Sequence, residues 1–190
     1  MALLWATPPE WTAAVLRDFD AFLRDHAAAE KKASATALTL VSHYPDRTLL
    51  VESLIEVARE ELDHFQQVWR LIAARGGSLG GDGSDDYVAI LAKKAVRRGS
   101  DVYLLDRLLL GSVFELRGCE RFGLVAGALP AGALKDFYAG LVRTEAAHRQ
   151  LYLDLARTYF QPGEVEARYE ELLNIEARVA AELPIRAALH

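Results

Sequence analysis

The chain has 190 residues, 52% hydrophobic and 26% charged, with a formal net charge of −5 at pH 7. That length suits one domain with a substantial core and leaves no room for a second, reductase-type domain. Charges interrupt every apolar run short of the roughly 18 residues a membrane helix needs, and the negative balance argues against nucleic acid bound over the whole surface while allowing a local basic dock. The opening MALLWATPPEW has no basic n-region, so no secretory signal is expected and a cytoplasmic location follows. The lone cysteine, Cys119, excludes an internal disulfide, a Cys-rich zinc site and a Cys-ligated iron–sulfur cluster. Any metal has to be held by histidine and carboxylate.

Apolar residues recur at helical spacing, with no sustained two-residue alternation, so the chain is expected to be all-helical. Thr7 followed by Pro8 reads as an N-cap with proline in the first turn. The helix it opens runs toward Tyr44-Pro45, and whether a break near Asp25-His26 divides it is left open. Asp46 is the expected cap of a helix over residues 47–75, stopped by Gly76-Gly77. The glycine-rich stretch 76–86 reads as a loop and residues 87–98 as a short helix. Ser100 or Asp101 is expected to cap a long helix to about Leu129, which Pro130 breaks; a further helix reaches Tyr159 or Phe160, and a last one follows Pro162-Gly163. Four of these helices are of bundle length.

Glu-x-x-His occurs twice in mid-helix, as Glu61-Leu-Asp-His64 and Glu145-Ala-Ala-His148. Glu30 lies 15 residues before Pro45 and Glu115 lies 15 before Pro130, while Glu61 follows Glu30 by 31 and Glu145 follows Glu115 by 30. The two halves therefore repeat at an offset of 84 to 85 residues. Residues three apart on a helix project from one face, so the Glu and His of each motif can grip one ion, and a glutamate from a neighbouring helix can complete the set. Oxygen and imidazole donors suit iron or manganese. Four glutamates balance two divalent ions, whereas four uncompensated carboxylates in a core would each cost several kcal/mol or protonate. A solvated helix face is the plainer reading of one such motif, and the repeat argues against it.

At these residues the chain resembles the ferritin-like di-iron carboxylate proteins, and in particular the tRNA 2-methylthio-N6-isopentenyladenosine hydroxylase family (MiaE). The stretches Glu30-Lys-Lys-Ala-Ser-Ala-Thr-Ala-Leu38, His43-Tyr-Pro-Asp46, Ala58-Arg-Glu-Glu-Leu-Asp-His-Phe65, Glu115-Leu-Arg-Gly-Cys-Glu-Arg-Phe122 and Glu145-Ala-Ala-His148 look like that family's blocks, in order. The resemblance implies a single ferritin-like di-iron domain over residues 1–190: a four-helix bundle with additional short helices. It implies two iron ions, with Glu30, Glu61, His64, Glu115, Glu145 and His148 as both the metal ligands and the catalytic set. The implied reaction is hydroxylation of the isopentenyl group of a hypermodified adenosine beside the tRNA anticodon, with O2 as co-substrate. With no flavin or iron–sulfur motif present, electrons are expected from a separate reductase.

A tRNA loop needs a positive rim, for which Lys93, Lys94, Arg97 and Arg98 on the short helix are the first candidates and Lys31 and Lys32 weaker ones. Gly111, Ser112 and Gly118 leave room for a prenyl group or serve close helix packing. Glu120, beside Arg117 and Arg121, is expected in an exposed ion pair rather than as a rival of Glu115. Cys119 reads as a small core hydrophobe, Tyr152 as a packed aromatic that can also bond near the metals, and His26 and His43 as surface or capping groups. Iron storage in a ferritin-like cage, a manganese catalase and a metal-free bundle are the competing functions.

Overall fold

A computed structural model describes residues 1–81 and 85–189. Residues 82–84, in the expected glycine loop, and His190 lie outside the described residues, as do the side chains of Ser100 and Asp101. The described chain is all-helical: α1 (Pro9–Arg17), α2 (Phe19–His43), α3 (Thr48–Ala74), α4 (Asp86–Ala95), α5 (Ser100–Ala128), α6 (Ala133–Tyr159) and α7 (Pro162–Glu182). Two compact units result, one of Met1–Thr12 and Asp85–Ile185, the other of Ala13–Ser84 and Arg186–Leu189.

In the second unit α2 and α3 form a hairpin about a four-residue turn, residues 44–47. The break ahead of α2 falls at Asp18, not near Asp25-His26, because the Asp18 carboxylate accepts from the Ala21 amide at 3.0 Å and caps the new helix. The N-cap of α3 is Arg47 with no side-chain cap bond, so the expected Asp46 cap does not form. At the other end Gly76 adopts φ 73°, Gly77 N–H donates to Ile72 O, and Gly76 N–H donates to Ala73 O. This paired closure is what a glycine just past a helix end allows. Arg75 Nε to Asp20 at 2.5 Å ties the end of α3 to the start of α2, and Ser34 Oγ donates to Ala58 O at 2.8 Å halfway along. Phe22, Leu23, Ala27, Ala37, Leu50, Leu54 and Val68 fill the apolar seam.

In the first unit α5 and α6 form the corresponding hairpin about residues 129–132, with α4 and α7 packed alongside. Leu104, Leu105, Leu108, Leu109, Leu110 and Val113 are all fully buried, the mark of a helix covered on more than one side. The N-cap of α5 is Gly99, whose φ of 120° would strain any other residue, rather than Ser100 or Asp101. Helix α4 stops at Ala95, short of the expected Arg98. Arg97 turns back to grip Asp106 by its backbone N–H at 2.7 Å and by Nε and Nη2 at 3.0 and 2.8 Å; Arg168 Nε holds the same carboxylate at 2.7 Å. The four expected long helices are α2, α3, α5 and α6, with 25, 27, 29 and 27 residues, and α7 follows them with 21.

Charged groups also enter this core. Arg117 and Glu176 are fully buried, and Arg117 Nε and Nη2 donate to Glu176 Oε1 at 2.9 and 2.6 Å, as Tyr87 Oη does at 2.9 Å. Arg117 also donates to Glu120, to Thr7 Oγ1 at 3.1 Å and to Trp5 O at 3.0 Å. The Thr7 N–H and hydroxyl both donate to Glu120, at 2.8 and 2.7 Å. Glu120 is thus a member of an interior network rather than of an exposed ion pair, and Thr7 is spent there instead of capping α1. Burial, the largest influence, pulls the Arg117 guanidinium down, but Glu176, Tyr87 and Glu120 together outweigh it and hold the group protonated.

Candidate metal centre

Helix register explains why the chosen glutamates meet. Glu30 lies 13 residues before the end of α2 at His43, and Glu61 lies 13 after the start of α3 at Thr48. Glu115 lies 13 before the end of α5 at Ala128, and Glu145 lies 12 after the start of α6 at Ala133. At 1.5 Å per residue, each member of a hairpin sits about 20 Å from its turn, so partners arrive at the same level.

The result is a buried triad in each unit. Glu30, Glu61 and His64 each offer a donor atom within 4.8 Å of the others, and so do Glu115, Glu145 and His148. All six are buried except Glu115, which is half-buried. In the first triad His64 Nδ1 lies 3.4 Å from Glu61 Oε2 and 3.8 Å from Glu30 Oε2. In the second, His148 Nδ1 lies 3.2 Å from Glu145 Oε2. Each triad combines two carboxylates with one imidazole, a donor set whose two negative charges and hard oxygens fit a divalent iron or manganese ion. Glu60 and Asp63, the other acids on that turn of α3, are exposed.

A second histidine adjoins Glu30. His26, expected at the surface, is fully buried, and its Nε2 lies 2.6 Å from Glu30 Oε1. Burial would raise the Glu30 pKa, but the hydrogen bond from His26, the nearby imidazole of His64 and the charge of His26 overcome it and hold the carboxyl at about 2. Glu30 is therefore an anion with one oxygen held by His26 and the other facing His64. The available signal was the spacing of four between His26 and Glu30, which puts both on one helical face.

The internal repeat extends beyond the ligands. Ser34 stands four after Glu30 and bonds the carbonyl of Ala58, three before Glu61. Cys119 stands four after Glu115, and its thiol donates to the carbonyl of Val142, three before Glu145, at 3.6 Å. Cys119 is thus a cross-helix donor, half-buried, rather than a plain core hydrophobe. Burial first, and then the Glu145 charge, pushes its thiol up to about 11, so it stays protonated at neutral pH. Cys119→Ser, which copies Ser34, is expected to change unfolding free energy by less than about 1 kcal/mol in urea melts and to leave bound metal unchanged.

Gly111 breaks the repeat. It stands four before Glu115, where the other half has His26, and a Cβ there would lie 2.9 Å from Tyr152 Cε1. Tyr152, four after His148, fills that space, while Ser112 Oγ donates to Tyr169 Oη at 3.2 Å. Both positions serve close packing. At Gly118 a Cβ would meet Phe122 at 3.8 Å and Glu145 Cγ at 4.0 Å, ordinary contacts. Gly111→Ala is expected to destabilise by about 1–3 kcal/mol in chemical denaturation, because a buried ring must shift.

Of the basic candidates, Lys93, Lys94 and Arg98 are exposed, Lys94 lying 3.8 Å from Glu182, whereas the Arg97 guanidinium is committed to Asp106. Among the described residues no helix is long and apolar enough to cross a membrane.

A family model described as tRNA-(MS[2]IO[6]A)-hydroxylase (MiaE) matches residues 1–190. The chain belongs to the MiaE family. A curated relative from Pseudomonas putida, a tRNA 2-(methylsulfanyl)-N(6)-isopentenyladenosine(37) hydroxylase, is 39% identical over 167 residues, 88% of this chain and 80% of the relative. One of the same name from Salmonella typhimurium is 33% identical over 160 residues, 80% of this chain and 55% of that protein. Among solved structures, a protein from Synechococcus described as having aldehyde deformylating oxygenase activity matches with a TM-score of 0.94 and 32% identity, covering 100% of this chain and 96% of the other. This MiaE-family chain thus has an all-α, ferritin-like di-iron fold, and its buried Glu/His groups are compatible with a metal site.

Proposed function

We propose that the chain is a single-domain, oxygen-dependent di-iron tRNA hydroxylase that acts on the isopentenyl group of 2-methylthio-N6-isopentenyladenosine next to the anticodon. The observation that carries the reading is the recurrence of one Glu–Glu–His triad at matched levels of two hairpins, in a chain that the hydroxylase family model spans from end to end. Glu30, Glu61 and His64 would hold one iron and Glu115, Glu145 and His148 the other. Bound iron supplies the oxygen-activating chemistry of the reaction.

The protein's own groups do the rest. Four glutamates neutralise the two divalent charges, which lets carboxylates persist where water is excluded. His26 fixes one oxygen of Glu30 and leaves the other turned toward His64. Oxygen balance requires one atom of O2 to enter the substrate and the other to leave as water, with two electrons and two protons supplied. Those electrons would come from a separate reductase. Exposed Lys93, Lys94 and Arg98 are available to RNA phosphates, with Arg97 shaping their segment through Asp106. A tRNA substrate places the work in the cytoplasm.

The test is turnover. Protein reconstituted anaerobically with ferrous iron, then given reductant, O2 and prenylated, methylthiolated tRNA, should yield a nucleoside one oxygen heavier in the digest. Oxygen consumption without that product overturns the substrate assignment.

A further inference from the structure

The unit built on α2 and α3 contains a cavity of about 390 Å³ lined by Arg24, Asp25, Lys31, Lys32, Phe65 and the loop around Gly80. The four charged α2 residues recur at helical spacing along one face, beside the face that carries His26 and Glu30. Three cations against one carboxylate is a sharp local reversal in a chain of net charge −5. Even that carboxylate is engaged, because Asp25 accepts the Leu189 N–H at 2.6 Å. Lys31 follows Glu30 and Phe65 follows His64, so the two helices that supply the first triad also supply this wall. Phe65 is half-buried, and on the loop side Gly80, with φ 76°, and Gly81 present backbone without side chains.

From this juxtaposition, and resting on the tRNA-hydroxylase reading, we propose that the Arg24–Lys31–Lys32–Phe65 cavity is a docking site for the phosphodiester backbone of single-stranded loop RNA. Loop RNA is recognised by cations on phosphates and by aromatic faces against unstacked bases, and this wall offers both. Glycine at the rim permits close approach of a phosphate to the main chain. The size lies in the range of small-ligand pockets, enough for a segment of the strand rather than for a whole stem. The assignment adds a second basic surface to the segment at residues 93–98 and makes it the stronger of the two.

The experiment measures binding of a labelled anticodon stem-loop carrying the prenylated, methylthiolated adenosine to the iron-loaded chain over a series of salt concentrations. Arg24→Gln combined with Lys32→Gln is expected to weaken binding at least about tenfold and to reduce the log–log salt slope by about 0.7–0.9 for each phosphate that is no longer neutralised. Iron content and thermal midpoint should stay unchanged. Lys93→Gln with Arg98→Gln should have the smaller effect. Arg24→Glu alone, at an exposed position nearly two turns from Glu30, guards against a folding artefact and should also weaken binding. If the cavity variants bind with wild-type affinity and slope while hydroxylation proceeds, the cavity assignment falls and the function stands. If the wild-type chain binds the RNA through the cavity yet yields no hydroxylated nucleoside, the function falls and the docking site stands. No RNA binding by the wild-type chain overturns both.

Discussion

Glu61→Ala should leave a protein that folds at least as well as the wild type without metal, yet loses iron and activity together. Glu61 is 1% exposed and lies beside Glu30 and His64. In the metal-free state it is a desolvated polar group in the core, whose removal is neutral or stabilises by about 1–3 kcal/mol. With iron offered, the same change takes away one of three donors and one of the two charges that balance the ion. Bound iron should fall below two per chain, and hydroxylation to less than about a thousandth of wild type. His148→Ala should behave alike in the other triad. Metal analysis, urea unfolding of the metal-free protein and nucleoside digestion give the three readings. A variant destabilised without metal but still binding two irons would make these residues structural.

The largest loss of stability is expected at Arg117. Arg117→Ala leaves Glu176 fully buried with the Tyr87 hydroxyl in place but its cationic partner gone. Removing one partner of a buried pair costs about 3–5 kcal/mol, against a total stability of about 5–15 kcal/mol for a typical domain. Replacing both charges, as Arg117→Met with Glu176→Gln, should recover most of that loss in a double-mutant cycle read by chemical denaturation. The metal bound per folded molecule should change little in either variant, which separates this network from the triads. A loss below about 1 kcal/mol for Arg117→Ala would mean that water reaches Glu176 and that the pair is not desolvated.

What the sequence disclosed was the part that is periodic. The helices follow from apolar spacing and from Pro45, Gly76-Gly77 and Pro130, and the triads follow from a spacing repeated in two hairpins. What stayed hidden was set by partners far away in the chain. Glu120 beside Arg117 and Arg121 looks like surface charge until Thr7, 113 residues earlier, supplies a donor pair to it. Arg97 reads as one more helical cation because nothing local reveals that α4 ends at Ala95 and that Asp106 waits nine residues on. His26 was concealed for another reason: a search for Glu three residues before His passes over a His four residues before Glu. Cys119 could have been read from the repeat itself, as the counterpart of Ser34.

The seating of Trp5 and Thr7 matters for anyone handling this protein. The Trp5 carbonyl and the Thr7 hydroxyl accept from Arg117, the Trp5 ring lies 5.4 Å from that guanidinium, and Trp11 lies 5.1 Å from Arg121. A stretch this short and rich in small apolar residues invites trimming during cloning. Trimmed past Thr7, the chain would have to hydrate two interior arginines that the stretch now shields, and soluble yield would suffer before any enzyme assay began.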